Sequence, residues 1–370
     1  MKVCILTSVH YPFDTRIFHK EAKTLRSAGY EVILIAQHKK EETVDGIKII
    51  PLKKPRNRVE RMTKIVWQAY RAALTTDADI YHFHDPELIP IGLLLKGGGK
   101  KVIYDIHEDA PKQNLSKTYI PKYLRKPISF FIEAIEAFSA KRFDGVITAT
   151  PFINERFLKM GANAVNINNY PIVSELSVED SNWEKKERAV CYVGGIAKIR
   201  GAFEMVQAIG KTDYQLILAG DFEPGLEERL RQLHGWKKVE ALGFVYRNGV
   251  RDAMSRSIAG LVLFHPEPNH IDSQPNKMFE YMSAGLPVIA SNFSLWKEIV
   301  EGNKCGICVD PLNPREIAEA IQWMIEHPNE AKAMGENGRR AVEERYNWEN
   351  EEKKLLELYA KLSDLKRLLS

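Results

Sequence analysis

Asp272-Ser273-Gln274-Pro275-Asn276-Lys277-Met278-Phe279-Glu280-Tyr281-Met282-Ser283-Ala284-Gly285-Leu286-Pro287 is the most informative stretch of the chain. Pro275 suits the first position of a helix, where its missing N–H has no partner to lose. Ser273 or Gln274 then falls at the cap. Gly285 suits the position just past the helix, and Pro287 blocks continuation. A short helix is therefore predicted directly after a loop, and that loop follows a strand at Leu261–Phe264. Unpaired N–H groups and the positive dipole end make such a helix start an anion site. Lys277 adds a full charge, and a diphosphate fits this chemistry. Glu280 stands among Met278, Phe279, Tyr281 and Met282, where a lone carboxylate is costly to bury. Two readings stand for it: a pair with a backbone N–H or an arginine, and acceptance of hydrogen bonds from two adjacent hydroxyls, as a ribose offers. Asp272, eight residues earlier, favours the second, because acids on both sides of an anion site suit sugars on both sides of a diphosphate.

The same strand–loop–helix texture extends in both directions. Apolar strand patterns at Ala189–Val193, Gln215–Ala219, Val239–Leu242, Pro287–Ala290 and Gly306–Val309 alternate with helical ones. In the first half the strands are Val3–Ser8, Glu31–Ala36, Ile47–Leu52, Ile80–Phe83, Lys101–Tyr104 and Gly145–Thr148. Continuous apolar strands between amphipathic helices imply parallel sheets covered on both faces. The acidic, Ser-rich, aperiodic segment 167–188 reads as a linker. The expectation is an α/β protein of two doubly wound Rossmann-like domains facing across a cleft: residues 1–166, then the linker, then 189–346, with a terminal helix over 347–370. Ligands bind such sheets at the carboxyl ends of the strands.

Composition agrees. Of 370 residues, 44% are hydrophobic and 28% charged, which excludes a disordered chain or a coiled coil. No apolar run approaches the about 18–20 residues of a membrane span. Met1–Leu6 runs straight into a strand pattern without signal-peptide features, so the expected location is cytoplasmic. Four cysteines make no disulfide framework. Cys305 and Cys308 sit in a strand pattern at opposite-face spacing and read as small core hydrophobes. Residues 1–165 carry 27 basic and 18 acidic side chains, the remainder 26 and 31. The basic half either faces an anionic partner or is simply an uneven surface. Nucleic acid is disfavoured, because no binding module is present and the second half is acidic.

Asp272 to Glu280 resembles the acid-x7-Glu motif of retaining GT-B glycosyltransferases of glycosyltransferase family 4. The likeness runs through Pro275–Met282 and Ala284–Ile289 and includes Gly243-Phe244-Val245 and Leu218-Ala219-Gly220-Asp221. It implies a GT-B fold, with a nucleoside-diphosphate sugar bound mainly by the second domain. A saccharide or lipid-linked acceptor is bound mainly by the first, and transfer proceeds with retention. It also implies no metal or other cofactor, a terminal helix crossing back to the first domain, and a role in surface polysaccharide or glycolipid assembly. On this likeness Asp272 reaches the donor sugar. Ser273, Gln274, Pro275, Asn276 and Lys277 hold the phosphates, Glu280 binds the ribose, and Val245 lies near the base. Tyr192–Gly201 matches the family's diphosphate loop and brings in Gly194, Gly195, Lys198 and Arg200. Two departures stand out. Asp272 is found where Glu is usual, and Gly195 where an arginine is expected. Arg200 then replaces a lysine, and Lys198 is a candidate for the lost charge.

In the first half, Tyr104-Asp105-Ile106-His107-Glu108-Asp109 follows a strand. The resemblance places His107 beside the reacting sugar, with Glu108 and Asp109 as candidates to orient its ring or contact the acceptor. His107, Asp272, Lys277 and Arg200 make up the expected catalytic set. In Tyr81-His82-Phe83-His84-Asp85-Pro86, the alternating histidines with Asp85 raise a metal site. Phe83 and the flanking strand favour a core face instead, and Asp85 is assigned to the acceptor side. Asp14 and Arg16 begin the first helix: Asp14 caps it, or both meet the acceptor. Basic segments 53–58 and 117–126 lie near Phe130-Phe131. They either rest on the inner face of a membrane, or the two aromatics pack inside the first domain. Two rival functions remain, a catalytically silent sugar-nucleotide or glycan-binding subunit and a nucleotide-sugar 2-epimerase.

Overall fold

The computed structural model describes residues 1–117, 120–176, 183 and 186–367. The chain forms two compact units, Met1–Asn169 with Trp348–Ser370, and Tyr170–Asn347.

The first unit is built on eight strands: β1 Lys2–Leu6, β2 Glu31–Gln37, β3 Glu42–Val44, β4 Ile47–Leu52, β5 Ile80–Phe83, β6 Lys101–Ile106, β7 Gly145–Thr148 and β8 Ala164–Asn166. Their order in the sheet is β3-β4-β2-β1-β5-β6-β7-β8. Every pairing is parallel except β3 with β4, a hairpin closed by Asp45-Gly46. Both turn residues have positive φ, 53° and 75°, as a two-residue hairpin turn matched to strand twist requires. Central strands are buried on both faces, β5 along its whole length. That is why they read as unbroken apolar runs rather than alternating ones.

The second unit has six parallel strands: β9 Ala189–Val193, β10 Gln215–Ala219, β11 Val239–Gly243, β12 Ala259–Val262, β13 Val288–Ser291 and β14 Gly306–Val309. The order β11-β10-β9-β12-β13-β14 reverses between β9 and β12, as in dinucleotide-binding sheets. The first sheet reverses likewise between β1 and β5. Loops leaving the carboxyl ends of these four strands are therefore where each unit can accept a ligand.

The last helix, Trp348–Arg367, belongs to the first unit. Trp348 Nε1 donates to Thr24 Oγ1 at 3.0 Å, and the Tyr359 hydroxyl lies 3.0 Å from His82 Nδ1. Of the segment read as a linker, residues 177–182, 184 and 185 lie outside the described residues. Tyr170, near its start, packs on Phe279 and Tyr346 in the second unit. Cys305 is buried and Cys308 half-buried, both as free thiols. Burial pushes both thiols up to about 12, so neither is poised for redox or metal chemistry at neutral pH.

Two readings are corrected. The helix expected from Pro275 spans Asn276–Ser283, so Pro275 is its cap rather than its first residue, and neither Ser273 nor Gln274 caps it. Phe130 and Phe131, on the helix Lys122–Ala140, are 73% and 65% exposed, so they do not pack inside the unit.

Helix Asn276–Ser283 is seated by Tyr281, whose hydroxyl accepts the Val193 N–H at 2.8 Å. Its ring leaves no room beside β12, where a Cβ on Gly260 would meet it at 2.3 Å. Gly260→Ala is expected to destabilise the second unit by about 1–3 kcal/mol through overpacking, read as a lower urea midpoint.

Candidate active site

The second unit presents Lys277 in the first turn of its short helix, against the loop that leaves β9. Gly194 in that loop has φ 108°, and a Cβ there would stand 3.2 Å from Lys277 Nζ, so the ammonium lies against bare backbone. Lys277 is buried, with Nζ 3.7 Å from the centroid of the Tyr192 ring and 5.3 Å from that of Phe264. It makes no hydrogen bond among the described residues. Burial pushes its pKa well below the usual lysine value, and the nearby Arg200 charge pushes the same way against Glu280. Arg200 folds back so that Nη1 donates to the Gly195 carbonyl at 3.1 Å. A Cβ on Gly195 would approach Arg200 Nη1 to 3.1 Å, so the glycine leaves the space that this guanidinium takes. Two cations and the N–H groups of a helix start thus converge on one place, with no carboxylate bonded to either cation among the described residues. Such a place can hold a polyanion.

The other expected donor contacts are scattered around this point. Lys198 is exposed, and its backbone N–H donates to Glu223 Oε2 at 3.2 Å. No contact joins its side chain to Lys277 or Arg200 among the described residues. Ser273 Oγ donates to His270 O at 2.8 Å, and Gln274 Oε1 accepts from the Tyr170 hydroxyl at 3.3 Å. Asn276 is exposed at the helix start, and Asp272 is half-buried in the turn before it. Val245 is half-buried against Gly249. Glu280 takes the arginine pair: Arg247 Nη1 donates to its Oε1 at 2.7 Å, and Arg247 Nη2 donates to Glu175 Oε2 at 3.1 Å. Sequence reading missed Arg247, which lies 33 positions from Glu280 on another helix and carries no local signal.

In the first unit most of the acids assigned to an acceptor turn out to organise loops. Asp14 caps the helix beginning at Thr15, accepting from the N–H groups of Arg16 and Ile17 at 2.9 and 3.0 Å. Asp85 is 4% exposed, and its Oδ2 accepts from Thr7 Oγ1 at 2.8 Å and from the Ser8 N–H at 2.6 Å. Asp109 is buried and caps the helix Ala110–Ser116 through the Lys112 N–H. Arg16 is 2% exposed and forms a two-pronged pair with Asp105, with Nη1 donating to Ile167 O at 3.0 Å. Asp85 and Arg16 are bonded inside the protein, and Asp109 is buried with its Oδ2 lacking a hydrogen-bond partner among the described residues, so each has an internal supporting role beside the acceptor contact expected of it. Glu108 is exposed and accepts from the Gln113 amide.

His107 lies at the rim of β6, with its side chain 22% exposed. Its Nε2 is 3.0 Å from His84 Nδ1. Burial holds His107 down at about 4, with Arg16 and His10 adding to the effect against the opposing pull of Asp105, so it is neutral at pH 7. His10, which sequence reading left without a role, stands between Asp14 Oδ2 at 3.4 Å and Asp85 Oδ1 at 3.8 Å.

Burial alone would raise the Asp14 carboxyl. The His10 hydrogen bond and the Ile17 N–H outweigh it and hold Asp14 at about 2. A folded pKa below the unfolded value of 3.8 means the stabilisation is present above about pH 4 and lost as pH falls through about 2. Asp14→Ala is expected to cost about 0.5–2 kcal/mol at pH 7. The gap from wild type should close between pH 4 and pH 2 in denaturant titrations.

Comparison with known proteins agrees with this geometry. Residues 15–168 match Glycosyltransferase Family 4, and residues 173–341 match Glycosyl transferases group 1. D-rhamnosyltransferase WbpZ of Pseudomonas aeruginosa is 24% identical over 281 residues, covering 71% of this chain and 68% of the relative. Sucrose-phosphate synthase from Thermosynechococcus elongatus superposes with TM-score 0.82 at 20% identity, covering 98% of this chain and 99% of the other. Anabaena HepE in complex with UDP-glucose superposes with TM-score 0.74 at 15% identity, covering 98% and 100%. The two family matches adjoin and together take in nearly the whole chain, which belongs to glycosyltransferase family 4 and carries its GT-B fold of two Rossmann-like domains.

Proposed function

We propose that the protein transfers a sugar from a nucleoside-diphosphate donor to a hydroxyl acceptor, with retention at the anomeric carbon. The observation that carries this reading is Lys277, a buried ammonium without a hydrogen-bond partner, set beside Gly194 at a helix start with Arg200 close by. An anion entering there regains hydrogen bonds for a group that lacks them in the free protein. HepE, whose fold this chain shares, binds UDP and UDP-glucose, which supports a nucleoside diphosphate as the ligand class.

In the reaction, the bond between the anomeric carbon and the diphosphate oxygen breaks as the acceptor oxygen bonds to that carbon. The acceptor proton passes to the departing phosphate on the same face. Lys277, Arg200 and the helix N–H groups answer the charge that develops on the leaving diphosphate, so no metal is needed at that point. Asp272 and His107 contact the donor sugar, and Glu280, held by Arg247, receives the ribose. Glu108 is the exposed acid that meets the acceptor. Positioning supplies the rest of the acceleration.

Titration calorimetry with UDP, GDP and their sugar conjugates tests the assignment. Lys277→Met should weaken nucleotide binding by about 10–100-fold, the worth of a charge-assisted hydrogen bond. Burial pushes the Lys277 pKa down in the free protein and a bound anion pushes it back up, so binding is coupled to proton uptake. Affinity should then fall as pH rises toward the ordinary lysine value, and the uptake should vanish in Lys277→Met. Unchanged affinity in Lys277→Met and Glu280→Ala would sink the reading. Binding without release of nucleoside diphosphate to any acceptor would leave a silent subunit, and an isomerised free donor an epimerase.

We further propose that the first unit rests on an anionic membrane and takes a lipid-linked acceptor for surface polysaccharide or glycolipid assembly on the cytoplasmic side. Tyr123, Phe130 and Phe131 are exposed on the helix Lys122–Ala140 beside Lys122 and Lys126, a basic aromatic face suited to headgroups. No helix among the described residues is long and apolar enough to cross a membrane. The protein should sediment with phosphatidylglycerol vesicles, less so at high salt. The double variant Phe130→Ser, Phe131→Ser should stay in the supernatant while keeping its nucleotide affinity.

A further inference from the structure

Four side chains in the interior of the first unit converge outside the proposed donor and acceptor contacts: Glu21 from the first helix, His82 in β5, His84 just past it, and Asp105 in β6. One ligand atom of each lies within 4.8 Å of the other three, and all four residues are buried. Each imidazole has one nitrogen engaged and one idle. His82 Nδ1 meets the Tyr359 hydroxyl at 3.0 Å, and His84 Nδ1 meets His107 Nε2 at 3.0 Å. The two Nε2 atoms have no hydrogen-bond partner among the described residues. They point at carboxylates instead, His82 Nε2 3.5 Å from Asp105 Oδ2 and His84 Nε2 3.5 Å from Glu21 Oε2.

Charge in the cluster is unbalanced as well. Arg16 pairs with Asp105 at 2.9 Å, and its Nε lies 2.9 Å from Glu21 Oε1. One guanidinium faces two carboxylates, and burial together with the Asp105 charge pushes the Glu21 carboxyl well above its usual range, the mark of an acid short of a positive partner.

We propose that Glu21, His82, His84 and Asp105 bind one divalent transition ion of the zinc class. Two imidazoles and two carboxylates are the donor set that borderline ions of this kind take, rather than calcium or magnesium. Bonds of about 2.0–2.1 Å in a tetrahedron put neighbouring ligand atoms about 3.3 Å apart. The two 3.5 Å approaches already stand near that spacing, and the widest needs to contract. The outer contacts also suit a metal site. Ligating histidines and carboxylates are held by hydrogen bonds on their far sides, and here Tyr359, His107 and Arg16 hold His82, His84 and Asp105.

Four protein ligands leave no open position, so the ion is structural, tying the first helix to β5 and β6. One consequence rests on the proposed function. An ion on His84 Nε2 leaves that ring's proton on Nδ1, where it is donated to His107 Nε2. The His107 proton then stays on Nδ1, and the rim histidine has one tautomer to offer the donor sugar.

The test uses the untagged full chain, purified without chelating resin and stripped with a strong chelator. Added Zn2+ should bind at one equivalent and raise the melting temperature, and Co2+ should give the intense visible bands of a tetrahedral ion. Glu21→Gln should weaken Zn2+ binding at least 10-fold. Tyr359→Phe, which leaves all four ligands in place, should weaken it about 10-fold and serves if Glu21→Gln fails to fold. The proposal is overturned if the stripped protein takes up no Zn2+. It is equally overturned if uptake is indifferent to both variants, which would put the ion elsewhere. A Glu21→Gln protein that melts higher than the stripped wild type and gains nothing from Zn2+ would show that protons balance the cluster instead. Nucleotide affinity is read separately in each protein, so loss of the metal site and failure of the donor assignment are told apart.

Discussion

An amine taken out of water without a hydrogen-bond partner is costly for a protein interior to hold, and the second unit holds one in Lys277. Its amine has the faces of Tyr192 and Phe264 around it and the bare backbone of Gly194 beside it. Cation–π attraction offsets part of the lost hydration, and burial pushes the amine's pKa down. Neither supplies the hydrogen bonds that an ammonium donates. On the proposed function the arrangement becomes favourable when a polyanion arrives. Gly194 and Gly195 clear the space, Arg200 lends a second charge, and Tyr281 anchors the helix whose first turn carries Lys277.

Burial governs the first unit too, through pairing rather than exposure of an unpaired group. Arg16 sits in the core because Asp105 meets its guanidinium with two oxygens and Ile167 supplies a carbonyl. Around that pair the unit gathers Glu21, His82 and His84, and this polar interior reaches the rim at His107. Acids that look like substrate contacts in the sequence serve instead to end loops and begin helices. Asp14, Asp85 and Asp109 each satisfy N–H groups that would otherwise be left open. Of the acids in these loops, Glu108 is the exposed one.

Much of this was legible in one dimension. Unbroken apolar strands announced parallel sheets, and the run from Asp272 to Pro287 located a helix start with a lysine on it. Gly285 and Pro287 ended that helix where expected. Less was legible at the ends of elements. Pro275 turned out to be the cap, β8 went unseen, and β3 was missed although Asp45-Gly46 carries a hairpin signal. The departures at Gly195 and Arg200 were visible, but that one makes room for the other was not.

The sequence by itself determined the fold class, the two-unit organisation of its strands and the helix that carries Lys277, because hydrophobic period and turn chemistry act over a few residues. Tertiary structure alone decided which charges meet. Arg247 finds Glu280 across 33 positions, Arg16 finds Asp105 across 89, and Tyr359 reaches His82 across 277. Electrostatic partners are chosen by distance in space and by the exclusion of water, and neither has a signature along the chain.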